Sequence, residues 1–149
     1  MTDSQNYSDN GEIIICLADI NHSLKHESAV LNWLKSIAGK NNRAIASLEY
    51  VFCSDDYLLD INKKYLSHDT LTDIITFPLQ DSPLEATIYI SIERVKENAI
   101  QYKTTTEEEL HRVMAHGLLH LIGFKDKSDD EKSEMRQQED VALSQRTFI

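Results

Sequence analysis

Two histidines four residues apart, His116 and His120, interrupt an apolar run formed by Leu110, Val113, Met114, Ala115, Leu118, Leu119, Leu121 and Ile122. At helical spacing, residues i and i+4 project from one face. Between Val113 and Ile122 no other side chain can hydrogen-bond strongly. One buried histidine is readily satisfied by a backbone carbonyl, but two on one face of a dry helix are not. A single divalent cation accepts a nitrogen from each. The pair therefore predicts a metal site. Proteolytic H-E-x-x-H helices place a glutamate general base after the first histidine; here that position is Gly117, which cannot serve as a base.

Gly123 lets the chain leave the helix through a left-handed residue. Ser128-Asp129-Asp130-Glu131 is a capping box that starts another helix just beyond. Asp126 lies on the short loop pinned between those signals, where it can return to the histidine face as a third ligand. Two histidines and a carboxylate leave Zn²⁺ an open position for water, and zinc-bound water can have a pKa near ~7. The expected cofactor is one zinc ion per chain, though other divalent transition metals suit the same donors. Beyond metal-bound water, no catalytic group is identified.

The elements that hold these residues follow from hydrophobic periodicity. Residues 12–20 read as a strand. Glu27–Lys40 reads as a helix with Val30, Leu31, Leu34, Ile37 and Ala38 on its apolar stripe, and residues 44–53 as a second strand. Ser54 opens a short helix carrying Leu58, Leu59, Ile61 and Tyr65. After a polar turn at residues 69–72, residues 73–77 form a third strand, which Pro78 must end or confine to a sheet edge. A turn at residues 81–83 leads to a fourth strand over 86–91, then a helix from Ser91 or Ile92 to Ile100. Thr106-Glu107-Glu108-Glu109 is a capping box for the histidine helix, with Thr105–Glu108 offering the neighbouring register. A helix apolar on nearly every side is buried. The expected fold is α+β over residues 12–149: a small mixed four-stranded sheet with about five helices, the metal site lying on a buried helix and the loop after it. The polar residues 1–11 are expected to be disordered.

A chain of 149 residues can bury a core without metal or disulfide support. Cys16 and Cys53 sit in β-branched stretches and read as core strand residues; a disulfide between neighbouring strands is possible but unnecessary. The polar N-terminus carries no signal-peptide pattern, and no apolar run approaches the ~20 residues of a membrane span. A cytoplasmic protein without membrane attachment is expected. A net charge of −10 argues against a broad electrostatic grip on nucleic acid. The acidic runs at 107–109 and 129–140 read as solvated helix surface.

The stretch from His116 to Phe124 resembles, without a break, the signature H-G-x-L-H-L-x-G-(Y/F)-D-H of the YbeY family of metal-dependent endoribonucleases. Leu71-Thr72-Asp73-Ile74-Ile75-Thr76-Phe77-Pro78 resembles that family's P-T-D-V-L-S-F-P strand entry. The resemblance extends over almost the whole chain. It implies a single-strand-specific endoribonuclease in rRNA maturation at the small-subunit 3′ end and in ribosome quality control, with rRNA and the small subunit as partners. It also makes Thr72 and Asp73, at the mouth of a strand, candidates for substrate or supporting contacts. Five positions, in three segments, depart from the pattern. The family's third histidine falls on Asp126, and its preceding Asp on Lys125. The arginine of its Y-R-G-K-D segment falls on Leu66, and its Gly-Asp before the fourth strand on Ala86-Thr87. Lys63, Lys64 and His68 are candidates to replace the missing cation. Two alternatives stand beside the nuclease: a non-catalytic, metal-containing ribosome-assembly factor, and a metal-dependent hydrolase of another substrate.

Overall fold

The computed structural model describes residues 11–67 and 71–149. In chain order these form β1 (Glu12–Leu17), α1 (Glu27–Lys40), β2 (Ile45–Cys53), α2 (Asp55–Leu66), β3 (Ile74–Gln80), β4 (Leu84–Ser91), α3 (Ile92–Gln101), α4 (Thr106–Ile122) and α5 (Asp129–Ser144). The sheet order is β1-β2-β4-β3, with β1, β2 and β4 parallel and β3 antiparallel to β4. This is the expected α+β arrangement of four mixed strands and five helices. His68 and residues 1–10 lie outside the described residues, and with them the expectation of N-terminal disorder.

Strand alternation sends successive side chains to opposite faces, and it divides the apolar residues in two. Leu48, Tyr50 and Phe52 of β2 join Ala86, Ile88 and Ile90 of β4 in the main core, beneath α1 and α4. Cys53, Ile75, Phe77 and Tyr89 face the other way and pack with Leu58 and Ile61 of α2. β3 is an edge strand, so Pro78 removes no internal hydrogen bond and the strand continues past it to Gln80. β1 is shorter than expected: Ala18 still donates to the Phe52 carbonyl, but the chain then bends away. β4 begins earlier, at the buried Leu84, whose N–H donates to the Ala44 carbonyl. The two cysteines are free; Cys53 is buried, whereas Cys16 is only half-buried and donates to Glu49 Oε2 at 3.1 Å.

α4 runs through the middle of this assembly. Its cap is Thr105, whose Oγ1 accepts from Glu108 N–H, so the chain takes the neighbouring register rather than a Thr106 cap. The buried Tyr50 donates its hydroxyl to the Met114 carbonyl at 2.9 Å, tying β2 to the helix. Gly117 lies close against the sheet: a Cβ there would stand 2.9 Å from Ile74 Cδ1 and 3.3 Å from Ile88 Cγ2. Gly117 admits a packed neighbour, not a substrate. At the other end, Gly123 (φ 129°) closes the helix while Phe124 N–H returns to the Leu119 carbonyl, and Arg43 donates to the Ile122 carbonyl at 2.8 Å.

Candidate metal centre

His116 and His120 project from one face of α4, their ring centroids 4.7 Å apart. The loop after Gly123 is short because Ser128 caps α5 at once. The Ser128 side chain accepts from Glu131 N–H, and Glu131 Oε1 accepts from the N–H groups of Ser128 and Lys127. That double pin holds Asp126 over the histidines, with Oδ2 3.4 Å from His116 Nε2 and 3.1 Å from His120 Nε2. Among the described residues, this is the group of His, Cys, Asp or Glu side chains placed to hold an ion, their donor atoms all within 4.8 Å of one another.

The donor chemistry fits a divalent cation. Atoms ~2.0–2.1 Å from a tetrahedral zinc ion stand roughly 3.3–3.4 Å apart, close to the two histidine–carboxylate distances. His116 Nδ1 lies 2.6 Å from Glu139 Oε2. An ionised carboxylate only accepts, so Nδ1 carries the proton. Whenever the ring is neutral, Nε2 turns a lone pair toward Asp126, and a cation between these two acceptors relieves their repulsion. Burial alone would depress the His116 pKa. The bond to Glu139 and the charges of Glu139, Asp126 and Asp73 outweigh it and hold the pKa above the ordinary value.

Glu139 is the residue that sequence reasoning missed. It falls within the acidic run expected to be solvated, yet its side chain is only 7% exposed. Burial would raise its pKa, but His116 and Arg112 beside it hold it below the ordinary carboxylate range. Arg112 donates to Glu139 Oε1 at 2.8 Å and to Asp140 Oδ1 at 2.7 Å. The signal was present: Met135, Glu139 and Ala142 share the buried stripe of α5. The other acidic run is likewise only partly solvated, because Glu109 is buried and Glu108 pairs with Arg146 at 2.8 Å.

The three donors lie in a cleft of about 750 Å³ between the α2 end, β3 and the Asp126 loop. Thr72 and Asp73 form its wall; Thr72 Oγ1 donates back to the Ile74 carbonyl at 3.3 Å. Asp73 accepts from Asn98 Nδ2 at 3.4 Å, and burial raises its pKa. Leu66, 42% exposed, stands at the rim. Lys63 and Lys64 are exposed on α2 and do not line the cleft; Lys127 does.

A model of the family Endoribonuclease YbeY matches residues 18–147. The chain belongs to the YbeY family. It is 48% identical over 132 residues to the Endoribonuclease YbeY of Cytophaga hutchinsonii, covering 87% of this chain and 92% of that one. To the Endoribonuclease YbeY of Flavobacterium psychrophilum it is 47% identical over 126 residues, 84% and 90% of the two chains. The fold is similar to a solution structure of a Thermotoga maritima protein, with a TM-score of 0.63 and 27% identity over 89% of this chain and 87% of that one. No helix among the described residues is long and apolar enough to cross a membrane.

Proposed function

We propose that this YbeY-family chain is a cytoplasmic, zinc-dependent endoribonuclease that cuts single-stranded rRNA during small-subunit 3′-end maturation and ribosome quality control. The observation that carries the reading is the convergence of His116 Nε2, His120 Nε2 and Asp126 Oδ2 in an open cleft, in a chain whose relatives are named endoribonucleases. His116, His120 and Asp126 would hold one ion, which when bound supplies a Lewis acid for a phosphate oxygen and lowers the pKa of a water. Glu139 keeps the proton of His116 on Nδ1 and so keeps Nε2 available as a donor atom. Asp126 adds a negative charge to the donor set where a histidine would add none. Thr72 and Asp73 shape the wall against which the RNA backbone would lie, and Lys127 provides a cation on the loop side of the cleft.

The test is cleavage of a single-stranded rRNA fragment by the purified chain, with and without zinc. We expect His116→Ala and Asp126→Ala to lose both zinc and cleavage. A second reading, a non-catalytic assembly factor, is favoured by Leu66 standing at the cleft rim where the family pattern has arginine. It predicts that the same two variants lose zinc yet still restore rRNA processing in cells lacking the protein; that outcome would defeat the nuclease reading.

A further inference from the structure

Four aromatic rings run in single file along the α2 side of the sheet toward the metal cleft. Tyr57 and Tyr65 share one face of α2 at i and i+8, Phe77 comes from β3 and Tyr89 from β4. Their centroids follow one another at 6.3 Å (Tyr57–Tyr89), 5.8 Å (Tyr89–Phe77) and 6.0 Å (Phe77–Tyr65). Cys53, Leu58, Ile61 and Ile75 pack beneath them and fix the inner rings. Core packing accounts for Phe77 and Tyr89, both half-buried. It does not account for Tyr65, which is 66% exposed at the cleft end of the file. Leu66 beside it lines the cleft, as does Thr76 beside Phe77. The file therefore ends at the rim of the site that holds His116, His120 and Asp126.

We propose that this file, with Tyr65 as its exposed end, is a stacking platform for the unpaired bases of single-stranded RNA on one side of the scissile phosphate. The inference rests on the endoribonuclease reading of the cleft. Every base has a π face, so an aromatic ring grips single strands with little regard to sequence. In a duplex those faces are already stacked on one another, so the platform also discriminates against paired RNA. At a net −10 the chain as a whole repels phosphates, so a grip on single strands has to rest on contacts that do not depend on charge, and stacking is one. Lys63 and Lys64, in the last turn of α2, immediately precede Tyr65 in the chain. A file one ring wide leading into the cleft suits a chain of bases better than the broad patch a protein partner covers.

The experiment is fluorescence anisotropy of the full chain, zinc-loaded, with three labelled probes: a single-stranded RNA of mixed sequence, the same strand annealed to its complement, and a strand abasic throughout. Tyr65→Ala removes a surface ring from a well-formed helix and should weaken single-strand binding by about 5- to 20-fold, a low-end stacking loss for one base. Tyr65→Phe should bind like the wild type, and duplex and abasic affinities should not change with either variant. Unchanged single-strand binding by Tyr65→Ala, with cleavage still abolished in His116→Ala, would overturn the platform and leave the nuclease reading intact; the face would then serve a protein partner. An equal loss on single-stranded and abasic probes would also overturn it, because the ring would then be acting on the backbone. If the wild type neither binds nor cuts single-stranded RNA, the nuclease reading fails and the platform with it.

Discussion

Glu139→Gln tests the link between α5 and the metal site with the least change of shape. Glu139 accepts a 2.6 Å bond from His116 Nδ1 and a 2.8 Å bond from Arg112, and its side chain is 7% exposed. Hydrogen bonds to a charged group contribute about 1.5–3 kcal/mol and neutral ones about half of that. Removing the charge therefore weakens the hold on Nδ1–H by about 1 kcal/mol or somewhat more. Nε2 becomes a poorer donor atom to a similar extent, and loss of such supporting partners typically costs 10–100-fold in metal affinity. We expect zinc to bind Glu139→Gln about 10-fold more weakly, and Glu139→Ala near the upper end of that range. The alanine variant also leaves Arg112 Nη1 without an acceptor, although Nη2 keeps Asp140, with a stability cost of about 1–3 kcal/mol. Arg112→Met should have a smaller effect on zinc, because Glu139 keeps its bond to His116.

The assay is competition for zinc against a chromophoric chelator at fixed pH and salt, with circular dichroism to confirm that each variant is folded. Zinc affinity of Glu139→Gln within 2-fold of the wild type, beside a His116→Ala variant that binds none, would refute the supporting role of Glu139. Failure of the wild type to bind zinc at all would refute the metal site itself.

Three further outcomes are expected. Gly117→Ala pushes a methyl toward Ile74 and Ile88, and overpacking of about 1–3 kcal/mol outweighs the helix-propensity gain of up to about 1 kcal/mol; a raised Tm would contradict this. Ser128→Ala removes the α5 cap for about 1 kcal/mol, and because the same capping box pins the Asp126 loop, zinc affinity measured by the chelator assay should fall with it. His111 is buried, and burial, reinforced by the charge of Arg146, lowers its pKa to about 4. The folded state thus resists a proton that the unfolded chain accepts near ~6.5, so His111 contributes stability above that pH and loses it as pH falls toward 4. The loss is about 2–3 kcal/mol between pH 7.5 and 4.5, and urea unfolding of His111→Phe should show a correspondingly flatter pH profile.

What the sequence made legible was local. His116, His120 and Asp126 lie within eleven positions, and two strong signals, Gly123 and the Ser128–Glu131 box, fix the turn that joins them. The proline rule left Pro78 either ending its strand or on a sheet edge, and the structure takes the edge; at Gly117 the sequence excluded only a general base. The partners that complete the site come from separate elements, and the spacing around His116 and His120 does not announce them. Glu139 sits in a helix whose acidic residues are mostly solvated, and only its register with Met135 and Ala142 marks it as buried. Thr105 and Thr106 offer nearly equivalent caps in the sequence, and the structure uses Thr105. Lys127 reaches the cleft wall only because the chain reverses after Phe124.

The same architecture separates folding from metal binding. Small metal domains often fold only when loaded, because no preformed site exists in the unfolded chain. Here the histidines stand on a helix buried against the sheet, the loop carrying Asp126 is held by the Lys127 and Ser128 N–H groups donating to Glu131 Oε1, and Glu139 is fixed by Arg112. None of these supports passes through the ion. The site is therefore preorganised by the core, and ligands already in place lose little conformational entropy on binding. Thorough chelation should leave the far-ultraviolet dichroism of the chain unchanged and lower its Tm only by the mass-action term of the lost ion. Unfolding on chelation would mean that the core described here does not by itself hold α4 and α5 together.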